Sequence, residues 1–202
     1  MMSLTKKERE VLLVLFKEFT AFYNANSISK ILKISHVGAQ KIFKRLLQEN
    51  LVISKTIGKA ITYKLNFNDN YVCQLIAFLL ADEANSFKRW KEEFKELFKK
   101  DMIIMIFGSA VKDYVHAKDI DLMIVMENKP AEKLKQIKEL NKILKKKEDI
   151  LPKKLHVIKL THQDLSENLK NRNTAIIDIV KNAIILHGQD KYVEMLKYVT
   201  IL

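Results

Sequence analysis

The 202-residue chain carries 36 Lys and Arg against 24 Asp and Glu, a formal net charge of +12, with only 4 Gly, 2 Pro and 1 Cys. The lone Cys73 excludes an intrachain disulfide and a cysteine zinc site, and so few helix breakers argue against a β-sandwich, a disordered chain or a long flexible linker. No apolar run approaches the ~18 residues of a membrane span, and the start MMSLTKKEREVLL has no continuous apolar stretch of the secretory type, so a cytoplasmic protein with no membrane partner is expected.

The charge is uneven. Residues 1–68 hold 12 Lys and Arg against 4 Asp and Glu, a density that suits a polyanion because neutralising phosphates releases counterions. In that segment Thr5 and Glu8 form a capping-box pattern, and Val11, Leu12, Leu15, Phe16 and Phe19 recur at helical spacing. A second short helix follows, with Ser27 as its expected cap and Ile28, Ile31 and Leu32 inward. A third, HVGAQKIFKRLLQEN, places Ala39, Ile42, Phe43 and Leu46 inward. Asn50, which tolerates the left-handed conformation, stands where the chain must leave that helix. LVISKTIGKAITYKLNF then reads as two strands around Thr56–Lys59, with Gly58 in the turn.

Three helices and a hairpin in this order, over about residues 4–67, resemble the winged-helix family of bacterial and archaeal regulators. The residues carrying the resemblance are the SISKILKIS helix and turn, the helix from Ser35, and Leu51-Val52 entering the wing. Duplex DNA is the partner this implies. The third helix offers His36, Gln40, Lys41 and Lys44; Gln can bridge an adenine edge and Lys can reach guanine or phosphate. Ser35 can contact phosphate at the helix start. Lys55 and Lys59 flank the wing tip, where a backbone or minor-groove contact is usual for the fold. Ordinary solvated charge on a protein-binding or dimerising domain is the other reading of the same residues.

Residues 69–100 contain no helix breaker. Leu75, Ile76, Leu79, Phe87, Trp90, Phe94, Leu97 and Phe98 fall at helical intervals, so one long helix or two abutting ones are expected as a connector, with a homodimer contact as one use. The organisation is thus 1–68, 69–100 and 101–202.

In the third segment MIIMIF, residues 102–107, reads as a buried strand, and Gly108-Ser109 follows at once. Asp119-Ile120-Asp121 opens a second apolar run, LMIVM. Residues i and i+2 of a strand share a face, so Asp119 and Asp121 project together while Ile120 and Leu122 face the core. Two such carboxylates suit a hard divalent cation. The core IFGSAVKDYVHAKDIDLMIV resembles the DNA polymerase beta nucleotidyltransferase superfamily, most closely its minimal-domain members, over about residues 100–188.

That resemblance implies Mg2+ (or Mn2+) on Asp119 and Asp121 and a nucleoside triphosphate, ATP in the first instance, as substrate or ligand. It also implies Gly108, Ser109 and Lys112 near the phosphates, with the helix start after Gly108 attracting negative charge. The superfamily usually has a third carboxylate on a later strand. Here that strand reads LHVIKL, residues 155–160, and His156 occupies the position, while Asp149 and Asp164 fall outside it. Asp113 stands where glycine is frequent, and Lys118 stands where serine is frequent, beside Asp119. A Lys-rich helix over 130–147 with Leu134, Ile137, Leu140 and Leu144 inward, helices over HQDLSENLK and TAIIDIVKNAIIL, and an apolar strand then glycine in AIILHGQDKY complete the reading. His162 and His187 are read as surface or capping residues, and Lys145–Lys147 as a solvated helix end.

The whole is an α+β chain: a winged helix-turn-helix, a helical connector and a mixed sheet with flanking helices. Three functions fit. One is a DNA-binding transcriptional regulator carrying a nucleotide-sensing or partner-modifying domain. The second is an enzyme transferring a nucleotide to a hydroxyl on a protein, small molecule or nucleic acid. The third is a non-catalytic, antitoxin-like or scaffold protein using both folds for partner binding.

Overall fold

Thr5 opens the first helix as the sequence pattern requires. Its hydroxyl accepts from the Glu8 backbone N–H at 3.3 Å, and the Glu8 carboxylate accepts from the Thr5 N–H at 2.7 Å. The computed structural model describes residues 3–127 and 133–200. The chain divides into two compact units, Met1–Leu79 and Leu80–Leu202. The expected connector is therefore shared between them, as two abutting helices followed by a 3-10 turn over Lys95–Leu97.

The first unit contains α1 (Lys6–Lys17), α2 (Ala25–Leu32), α3 (His36–Gln48), β1 (Val52–Ile57) and β2 (Ala60–Leu65). It is a winged helix-turn-helix. Val11, Leu12, Phe16, Ile28, Ala39, Phe43, Leu46 and Leu51 are fully buried or nearly so. The Phe43 ring stacks on Tyr63 at 3.9 Å, tying α3 to the wing. β1 and β2 pair antiparallel from Val52↔Leu65 to Ile57↔Ala60, so Gly58 and Lys59 form a two-residue turn, with Gly58 at φ +59°. Asn50 takes φ +56° just beyond α3, as its identity leads one to expect.

Three expectations for this unit need correction. Asn24, not Ser27, caps α2: its side chain accepts from the Ser27 N–H at 2.9 Å, and Ser27 Oγ answers the Asn24 N–H at 2.9 Å. The helix therefore starts two residues before Ser27, and its inward stripe becomes Ala25, Ile28 and Ser29, with Leu32 half-buried. Ile31 lies off that stripe and is 46% exposed. Phe19 lies beyond the end of α1.

Glu8 has a second task. Its carboxylate, nearly buried, accepts from the Arg45 guanidinium at 2.9 Å and from the Thr5 hydroxyl at 2.9 Å, linking α1 to α3. Arg45→Ala is expected to leave that carboxylate short of a donor and to destabilise the chain by about 1–2 kcal/mol, discounted because Arg45 is itself partly solvated. Chemical denaturation should show this as a lowered midpoint, and an unchanged midpoint would deny the contact a structural role.

α4 (Asn70–Asn85) and α5 (Lys88–Phe94) follow. The second unit then runs β3 (Met102–Phe107), α6 (Ser109–Lys112), β4 (Asp119–Met126), α7 (Lys133–Ile150), β5 (Lys154–Thr161), α8 (His162–Lys170), α9 (Thr174–Asn182), β6 (Ile184–His187) and α10 (Gln189–Thr200). The sheet order is β5-β4-β3-β6. β4 and β5 are parallel and the other pairs antiparallel, a mixed sheet as expected. β3 and the middle of β4 are buried almost throughout, which explains their continuous apolar runs.

The expected helix over TAIIDIVKNAIIL stops at Asn182. Ala183 turns extended and Ile184–His187 pairs with β3, giving the apolar strand before glycine expected of AIILHGQDKY, because an open sheet edge offers the apolar run a better burial than a longer helix does. Of the expected 130–147 helix, residues 130–132 and the side chain of Leu134 lie outside the described residues; Leu140 and Leu144 are buried as expected.

Lys147 is not a solvated helix end. It is 9% exposed and pairs with Glu93 at 3.0 Å and Glu96 at 3.5 Å. Nor are the two histidines merely superficial. His187 stacks on Phe98 at 4.9 Å and donates from Nε2 to the Lys99 carbonyl at 2.9 Å. The Nε2 atom of His162 is buried without a hydrogen-bond partner among the described residues, and burial holds that imidazole below its ordinary pKa.

Candidate functional site

β4 lies between β3 and β5, and this fixes the chemistry of its first turn of residues. Ile120 and Leu122 are fully buried, so Asp119 and Asp121 emerge on the opposite face. In the antiparallel register Asp121 faces Phe107, the last residue of β3; in the parallel register it faces His156 of β5. Paired residues share a face, so the imidazole arrives beside both carboxylates. His156 Nδ1 lies 3.5 Å from Asp119 Oδ2 and 3.6 Å from Asp121 Oδ1. One ligand atom from each of the three lies within 4.8 Å of the others. Burial and the neighbouring Asp119 charge raise the Asp121 carboxyl pKa from its ordinary value, with His156 opposing.

Gly108 closes the other side. It has φ +78° and ψ −161°, a region essentially reserved for glycine. A Cβ there would stand 2.2 Å from Asp121 Oδ2 and 3.1 Å from its Cγ. The glycine therefore lets β3 turn directly against the carboxylate. Ser109 and Lys112 are exposed in α6 just beyond. That helix is a single turn of four residues, so the macrodipole expected after Gly108 is slight.

The spacer departs from the superfamily pattern in a constructive way. Asp113 Oδ1 accepts from the N–H of Val115 at 3.1 Å and His116 at 3.4 Å, and Oδ2 meets His116 Nδ1 at 2.6 Å, which lowers the Asp113 pKa. An aspartate thus organises the turn by its side chain where glycine would do so by backbone freedom. Lys153 donates to the carbonyls of Val115 and Ala117, and its ammonium sits over the Tyr114 ring, which also receives the Arg89 guanidinium at 3.5 Å. Motif reading does not find Arg89, Tyr114 and Lys153; only their distance in space to the loop before Asp119 reveals them. Lys118 is exposed, and the basic side chain that faces Asp119 is His156. Asp164 is committed to capping α8 through the Thr161 N–H at 2.8 Å, and Asp149 is exposed on α7.

Residues 87–187 match the nucleotidyltransferase domain family model, half of the chain. The chain belongs to the nucleotidyltransferase domain family. The match contains the whole Gly108–Asp121 segment and His156. No curated protein matches. Two mutant forms of Lactococcus lactis ZitR are similar at 19% identity, with TM-scores of 0.36 and 0.37, over 46% of this chain and 64% of theirs. Scores of that size do not bear on the first unit, whose fold rests on its own helices and hairpin.

Two carboxylates and an imidazole are a donor set that fits a divalent cation. In the first unit Ser35, His36, Gln40, Lys41, Lys44, Lys55 and Lys59 are all exposed, as is Val37 at 58%. Ser35 Oγ accepts from the Gly38 N–H at 3.0 Å and so caps α3, while its hydroxyl proton stays available to a ligand. No helix among the described residues is long and apolar enough to cross a membrane.

Proposed function

We propose that this protein is a DNA-binding regulator whose nucleotidyltransferase domain binds a divalent cation, Mg2+ or Mn2+, together with a nucleoside triphosphate, ATP in the first instance. The observation that carries the reading is the convergence of Asp119 and Asp121 with Gly108 on one side and His156 on the other. Asp119 and Asp121 would hold the cation. When bound, it would neutralise phosphate charge and fix the α-phosphate. Gly108, lacking a side chain, leaves the phosphates room against the backbone, and Ser109 and Lys112 supply an exposed hydroxyl and ammonium for their oxygens.

Membership of the family favours a second reading, in which the nucleotidyl group passes to an acceptor hydroxyl and pyrophosphate leaves. ATP labelled at the α-phosphate, incubated with the protein and cell extract, separates the two. Label fixed covalently to a protein or nucleic acid, and lost in Asp121→Asn, establishes transfer. Label bound by the protein but never fixed leaves a sensor.

The DNA reading rests on the basic, exposed face of α3 and on the wing. Fluorescence anisotropy with duplex DNA should show affinity falling steeply with salt. Lys41→Ala and Lys44→Ala should each weaken binding and reduce the logarithmic salt slope by about one. Affinity indifferent to salt and to both substitutions would remove duplex DNA as the partner. Dimer formation through the helical connector of residues 69–100 belongs to the same proposal, since paired recognition helices match one DNA repeat.

A further inference from the structure

We propose that His156 makes this a mixed carboxylate–imidazole metal site, one that selects a borderline first-row cation of the zinc or cobalt class over magnesium. The inference rests on the reading that Asp119 and Asp121 hold a divalent cation. It departs from the hard, all-oxygen site that the superfamily resemblance implies.

Register is the first support. β4 and β5 are parallel, Asp121 is opposite His156, and the ladder continues without interruption from Asp119↔Lys154 to Met126↔Thr161. The imidazole is thus held beside the carboxylates by a ladder of eight residue pairs. Distance is the second. Nδ1 stands 3.5 and 3.6 Å from one oxygen of each carboxylate, at the outer limit of hydrogen bonding. Ligands about 2.1 Å from a tetrahedral ion are separated by about 3.4 Å, close to both values.

Donor chemistry is the third support. Magnesium favours oxygen ligands in near-ideal octahedral geometry and gives up water reluctantly. Neutral imidazole is a good donor for zinc and cobalt and a poor one for magnesium. A site with one nitrogen among its three protein donors therefore gains with the former and gains little with the latter. The three residues leave coordination positions open, so a nucleotide phosphate can still enter the shell. His156 is exposed on an edge strand, so its replacement removes no core contact.

The test is calorimetric titration of the full chain with ZnCl2, CoCl2, MnCl2 and MgCl2 separately, without nucleotide, with the visible absorption of bound cobalt as a second readout. Wild type should bind zinc and cobalt at least about 100-fold more tightly than magnesium. His156→Ala should lower zinc and cobalt affinity at least about tenfold and leave magnesium nearly unchanged; His156→Asp should raise magnesium affinity and narrow the gap. Asp119→Asn and Asp121→Asn should remove the cobalt bands.

Magnesium bound as tightly as zinc, or zinc affinity indifferent to His156→Ala while both aspartate variants lose it, would overturn the selectivity and leave a two-carboxylate site. Zinc affinity indifferent to the aspartate variants as well would place the metal elsewhere, on His36, His116 or Cys73, and overturn the metal site itself.

Discussion

Gly108→Ala is expected to disable the site without removing a ligand or a charge. Two costs combine. The alanine must adopt φ +78° and ψ −161°, a strain of about 1–3 kcal/mol. Its Cβ would also meet Asp121 Oδ2 at 2.2 Å, so the carboxylate must swing away from Asp119 and His156. Metal-dependent nucleotide affinity should fall at least about tenfold, which corresponds to about 1.4 kcal/mol. Denaturation should show the strain as a lowered midpoint. Wild-type affinity in a folded Gly108→Ala protein would mean that the Asp121 carboxylate has no part in binding.

Asp121→Asn should do the reverse to stability while abolishing metal binding. Asn keeps the size of the side chain and removes the charge. In the metal-free chain Asp121 is ionised at a cost, because burial and the Asp119 charge hold its folded pKa above the unfolded value. The sign follows from linkage: stability conferred by the protonated carboxyl is present at low pH and is lost as pH rises through that raised folded pKa. At neutral pH the Asn variant escapes the loss, so its thermal midpoint should exceed that of metal-free wild type, and the difference should vanish in acid. Added metal should then stabilise wild type and leave the variant unmoved. A variant less stable than metal-free wild type at neutral pH would show that the carboxylate is a structural group and not a ligand held in waiting.

Much of this was legible in the residues. Gly-Ser after one apolar run and Asp-x-Asp at the start of another place the two carboxylates, because strand alternation is local and the β3 and β4 runs are unmistakably buried. Thr5, Asn50 and Gly58 announce a cap, a left-handed exit and a hairpin turn through chemistry confined to a few neighbours. What failed or stayed hidden depends on partners distant in sequence. Ile184–His187 fits both the end of α9 and a strand before Gly188, until the free edge of β3 decides between them. Lys147 reads as solvated until Glu93 and Glu96 are placed beside it. His156 could be read as a replacement for an acid, but only the β4–β5 register sets it against both aspartates. Asp113 stands where glycine is frequent, and only its bonds to Val115 and His116 show that it builds the turn with its side chain.

Equilibrium dialysis of labelled ATP against the full chain reads the metal-dependent nucleotide site of the second unit without any acceptor. About one nucleotide per chain should be retained when Mn2+ or Mg2+ is present, little when the cation is chelated, and none above background in Asp119→Asn or Asp121→Asn. Retention that ignores the cation and both substitutions, or no retention under any condition, would mean that Asp119 and Asp121 form no such site.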